Sequence, residues 1–153
     1  MVDIKEFKVS VDSFYRTMEG VSEKQASIKL SEDKWSLKEI IGHLIDSASN
    51  NHQRFLRLQS DDLLDFPPYD GEKWIRLQKY NDMNWSTIVS FWYNYNLLLL
   101  NIIKNVEDSS LANVWIKGET AIPLEKLIND YYGHIKIHVK HFEERFAETA
   151  GNI

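Results

Sequence analysis

The stretch Trp35-Ser36-Leu37-Lys38-Glu39-Ile40-Ile41-Gly42-His43-Leu44 decides the fold. Ser36 stands where a helix is capped, Glu39 three residues on can complete a capping box, and Trp35 can staple onto Ile40. A helix over about 37–58 follows. On it Leu37, Ile40, Ile41, Leu44, Ala48 and Phe55 fall in one apolar stripe, with His43 on the flank.

Three more segments carry the same periodicity. Phe7, Val11, Phe14, Tyr15 and Met18 recur at three and four over about 3–18, which Gly20 closes. A third helix over about 85–106 turns Ile88, Val89, Trp92, Leu99, Ile102, Ile103 and Val106 inward. A fourth, about 124–149, has the stripe Leu124, Leu127, Ile128, Tyr131, Ile135, Phe142 and Phe146, with Pro123 suiting its first turn. The expected fold is all-α, a four-helix bundle. Residues 61–84, with Pro67, Pro68, Asp70 and Gly71, read as a long loop between helices two and three. The alternation around Gly118 in 114–122 reads as a short turn or hairpin before helix four.

A chain of 153 residues, 43% apolar and without low-complexity tracts, is expected to form a single domain over 1–153. A net charge of −5 with no basic stripe argues against nucleic acid as a partner. The longest apolar run, Leu97 to Leu100, is too short to span a bilayer, and the first residues lack the pattern of a secretory leader, so a cytoplasmic location is expected. With no cysteine, any metal must be held by His, Asp, Glu or water.

The chemistry concentrates on helix four. His134 and His138 are four residues apart, about 6 Å along the axis, on one face and able to converge on one ion. Alone this pair is a weak motif, since an inward histidine is more often satisfied by a hydrogen bond. His43, flanking the core on another helix, completes the three-ligand set of a catalytic metal site with open positions. His141 is a rival partner for His138, but His134 and His141 are about 10 Å apart along the axis and cannot share an ion. His134 is preferred because it lies nearer the apolar stripe. His52, out of phase with His43, reads as structural or exposed.

Lys34 to Asp46, around Trp35-Ser36-Leu37-Lys38-Glu39, resembles the second-helix signature of the DinB/YfiT-like superfamily. Gly133-His134-Ile135-Lys136-Ile137-His138 resembles its fourth-helix signature, and the Phe66-Pro67-Pro68-Tyr69-Asp70 loop and Gly118 turn fall in the matching order. The resemblance implies an up-down-down-up bundle holding one divalent metal ion, zinc or nickel, through His43, His134 and His138. It also implies a thiol-dependent S-transferase acting on a small electrophile with a low-molecular-weight thiol, or a hydrolase that activates water. The absence of cysteine agrees with an external thiol. The alternative from a different class is a non-catalytic helical binding or dimerisation module.

Asp46 and Asp130, one turn from His43 and His134, are candidates to orient ligand imidazoles, although each falls toward the polar side of its helix. Tyr69, Asp70, Trp74 and Tyr95 are candidates for a pocket or lid. The consecutive leucines 97–100 point around the third helix, so a homodimer through it is expected, unless that helix is simply the most buried one.

Overall fold

The computed structural model describes residues 2–152. Four long helices, α1 (Ile4–Glu19), α3 (Leu37–Leu58), α5 (Trp85–Lys104) and α6 (Leu124–Thr149), form the body. Two short ones, α2 (Glu23–Ala26) and α4 (Gly71–Gln78), lie in the connections, and β1 (Val114–Lys117) pairs antiparallel with β2 (Thr120–Pro123). Among the described residues the four expected helices are present and two short α-helices are added to them. The long loop is the main correction: Asp70 accepts from the Lys73 amide and starts α4, and a 3-10 turn over Tyr80–Asp82 follows. One side-chain cap suffices to convert part of a turn-rich segment into helix.

The contacts fix the helix directions. Phe7 meets Tyr132 and Phe14 meets Phe142, so α1 and α6 run together. The Trp85 indole donates to the Met18 carbonyl while Phe14 meets Trp92, so α5 runs against α1. Arg145 donates to the Trp35 carbonyl at one end of α3, and Asn113 ties Leu58 to the start of α6 at the other, so α3 opposes α6. The capping box is formed: Ser36 Oγ accepts from the Glu39 amide and Glu39 from the Ser36 amide, a motif that stabilises a helix end by about 1 kcal/mol.

The central helix is α3, not the apolar α5. Fifteen of the 22 residues of α3 are buried, among them Lys38, Asp46, Asn50, Asn51 and Arg54. The reason is coverage from several sides. The side chains of α5 and α6 pack on the inner faces, while α4 and the Tyr80 turn cover the outer one. On α5 the apolar surface is only partly used, with Phe91 52% and Leu98 45% exposed. Phe146, expected inside, is also exposed, because the last turns of α6 bury Arg145 and Thr149 instead. Among the described residues no helix is long and apolar enough to cross a membrane.

Candidate metal centre

The capping box that starts α3 sets where His43 falls, and the opposed run of α6 brings His134 and His138 to the same level. One nitrogen from each of the three imidazoles lies within 4.8 Å of the others. His43 Nε2 and His134 Nε2 are 3.1 Å apart, and the rings of His134 and His138 have centroids 4.5 Å apart. His141 stays outside this group, half-buried, its ring 5.8 Å from that of His138 and 6.2 Å from Trp35.

Electrostatics keep these imidazoles neutral. Burial pushes His43 down to about 4, with the neighbouring His134 and His141 adding to the effect. Burial, then His134, His43 and His141, push His138 down to about 3, and burial lowers His134. Neutral rings keep the lone pair that a cation needs. The Nδ1 atoms of His43 and His138 are buried without a hydrogen-bond partner. The donor set fits one divalent transition-metal ion, for which imidazole is a favoured ligand.

Several residues that the sequence reading did not assign to the site complete the surroundings. Trp35 lies over the cluster, its ring 4.9 Å from His43 and 6.3 Å from His138. Gly71, at the first turn of α4, touches His43: a Cβ there would stand 3.0 Å from Cε1. Ser47 Oγ is 3.3 Å from His134 Nδ1, and Asn51 in turn donates to Ser47. One turn beyond His43 on its own face, Ser47 was visible in the sequence, but a serine at helical spacing carries no distinguishing signal.

The two carboxylates that are candidates to orient the imidazoles have other hydrogen-bond partners. Asp46 is buried, not polar-facing, and accepts hydrogen bonds from Tyr80 and Gln78. Asp130 pairs with Lys126 and lines the cavity beside His134. Tyr69, Asp70, Trp74 and Tyr95 do share one surface cavity of about 590 Å³, which no histidine lines. Of the four only Tyr69 also lines the cavity of about 220 Å³ that contains Ser47, Asn51 and His134. Asp70 serves α4 as its cap, and Tyr95 bonds His52 across 3.1 Å.

No family model matches the chain. "Putative metal-dependent hydrolase OB0413" of Oceanobacillus iheyensis is 18% identical over 152 residues, covering 97% of this chain and 86% of its own. The structure of YfiT from Bacillus subtilis, described as a probable metal-dependent hydrolase with an unusual four-helix bundle topology, superposes with a TM-score of 0.82 at 18% identity. It covers 95% of this chain and 84% of the other. The chain shares the fold of that four-helix bundle. A second member of that fold, a mycothiol-dependent maleylpyruvate isomerase, superposes with a TM-score of 0.71 at 11% identity, over 90% of this chain and 60% of its own. At these identities the structural likeness establishes the fold and leaves the activity to be argued from the site.

Proposed function

We propose that the protein is a metal-dependent hydrolase of a small molecule, with one divalent ion, zinc or nickel, held by His43, His134 and His138. The single observation that carries this reading is the convergence of three neutral imidazoles from two helices. Three protein ligands leave positions open, and an ion so held lowers the pKa of a bound water and polarises a carbonyl or similar electrophile. The relatives named for hydrolysis support the choice of water as nucleophile.

The chain's own residues do the rest. Trp35 and Gly71 enclose the imidazoles and hold His43 in place by contact, and Ser47 holds His134. The cavity beside His134, walled by Tyr69, Leu127 and Tyr131, is sized for a small substrate. A second reading, thiol-dependent transfer or isomerisation, is favoured by the likeness to the mycothiol-dependent isomerase and by the absence of cysteine. In that case a low-molecular-weight thiol takes the place of water.

Elemental analysis after purification without chelators tests the metal, with near one equivalent of a divalent ion expected. Protein that carries none and takes up neither zinc nor nickel in titration is a packing module and not an enzyme of this kind. Steady-state assays of the loaded protein on ester and amide panels, with and without added thiol, separate the two enzymatic readings.

A further inference from the structure

We propose that the cavity between α3, α4 and α5 binds a small apolar amine, whose ammonium group pairs with the Asp46 carboxylate while its hydrocarbon part lies among aromatic side chains. The site is separate from the metal centre, since none of His43, His134 and His138 lines it.

The cavity has a volume of about 910 Å³, the size of a small-molecule site. Ile45 of α3 and Ile88 and Leu98 of α5 make part of its wall, and the rings of Trp74, Tyr80, Phe91 and Tyr95 join them. Two of these rings, Phe91 and Tyr95, have centroids 5.4 Å apart. Among the described residues Asp46 is the one carboxylate on the wall, and no Lys or Arg lines it. Asp46 is 1% exposed. Its Oδ1 accepts from the Tyr80 hydroxyl across 2.7 Å and from the Gln78 amide, while Oδ2 is buried with no hydrogen-bond partner. A buried carboxylate with one oxygen unmet and no cation beside it is costly to keep, and burial holds this carboxyl up at about 6. Other polar groups of the wall are already satisfied: His52 Nδ1 and Tyr95 Oη lie 3.1 Å apart, Ser49 donates to the Asp46 carbonyl, and Asn94 donates to the Ser90 carbonyl.

These features select the ligand. An anion is repelled by Asp46, and a neutral hydrocarbon leaves Oδ2 unpaired. An ammonium group supplies a charge-assisted hydrogen bond to the carboxylate and is attracted to the aromatic rings around it. Access passes Gln78, an exposed residue at the end of α4 whose amide covers Asp46. The ligand N–H takes over that hydrogen bond as the glutamine side chain swings out. Phe91 and Leu98, both about half exposed, stand at the rim, so a second copy resting there covers the mouth and leaves Asp46 unpaired.

Isothermal titration of 2-phenylethylamine, with 2-phenylethanol and 3-phenylpropionate as its neutral and anionic counterparts, tests the site on the wild type and on Asp46→Asn. Slightly alkaline pH keeps amine and carboxyl charged, and helicity is followed in parallel. The wild type is expected to bind the amine at least about tenfold more tightly than either counterpart, and Asp46→Asn to lose that preference with its helices intact. In nitrogen correlation spectra the amine is expected to shift the Trp74 indole resonance and to leave those of His134 and His138 in place. Equal affinity for amine and alcohol, amine binding unchanged in Asp46→Asn, or shifts confined to His134 and His138 overturns the proposal. Failure of the wild type to bind the amine also overturns it and, where the protein is a dimer that Phe91→Glu dissociates, assigns the face to a second copy. The cavity holds no ligand of the metal, so each of these outcomes leaves the metal reading standing.

Discussion

Gly42 of α3 lies directly beneath the ring of Tyr80: a Cβ on Gly42 would stand 2.1 Å from Tyr80 Cδ2 and 2.3 Å from Cγ. Tyr80 is also hydrogen-bonded to Asp46 across 2.7 Å, so this contact seats the connection between α4 and α5 on α3. Gly42→Ala should force Tyr80 off its seat and destabilise the fold by about 1–3 kcal/mol, the usual cost of overpacking. Chemical denaturation checks this, and a variant as stable as wild type would show that the turn yields at no cost.

The ligand assignment predicts different outcomes for three neighbouring histidines. His134→Ala and His138→Ala should each lower zinc affinity sharply, while His141→Ala should leave it nearly intact. The helices should persist in all three, since packing and not the ion holds four long amphipathic helices together. Isothermal titration with zinc and far-ultraviolet circular dichroism provide the readouts. A loss of affinity in His141→Ala matching that in His134→Ala would refute the assignment.

The buried imidazoles make a pH prediction for the metal-free protein. With His43 held down to about 4 and His138 to about 3, both lie below the ordinary value of about 6.5. The unfolded chain then binds protons that the folded one does not. Their contribution to stability is present above pH about 6.5 and is lost as pH falls toward 4 and 3. Excess zinc should oppose this loss, because the ion binds only the folded form. Melting curves from pH 7 to 4, with and without zinc, are the measurement.

Asp46 has the opposite sign. Burial raises its carboxyl to about 6 against the hydrogen bonds from Tyr80 and Gln78, which lower it. The folded state holds this proton more tightly than the unfolded chain, so stability from Asp46 is full below pH about 4 and falls as pH rises through about 6. Asp46→Asn removes the buried charge and should gain stability over wild type between pH 4 and 7, by up to about 3 kcal/mol. A constant difference across that range would count against a perturbed Asp46.

Phe91 and Leu98 lie one above the other, seven residues apart on α5, and both are about half exposed. Pairing of two copies through this face predicts a dimer at micromolar concentration that Phe91→Glu dissociates. Light scattering showing only monomer for the wild type would remove the prediction.

The sequence by itself determined the four long helices, the hairpin at Gly118 and the candidacy of His43, His134 and His138. Each rests on local physics: the 36–39 capping box, apolar residues at helical period, a glycine with φ of +60° at a tight turn, and two histidines one turn apart. Such features involve neighbours in the chain, and they remain readable without knowing what packs on them. What only the tertiary structure decided depends on surfaces that meet from distant parts of the chain. Asp46 reads as polar-facing along its own helix, yet a segment more than thirty residues away, carrying Gln78 and Tyr80, covers it. Ser47 is an ordinary helical serine until α6 sets His134 against it, and Gly71 is an ordinary helix start until His43 fills the space a side chain would need. Periodicity reports which face of a helix is apolar, and it carries no information about which polar groups a second layer will enclose.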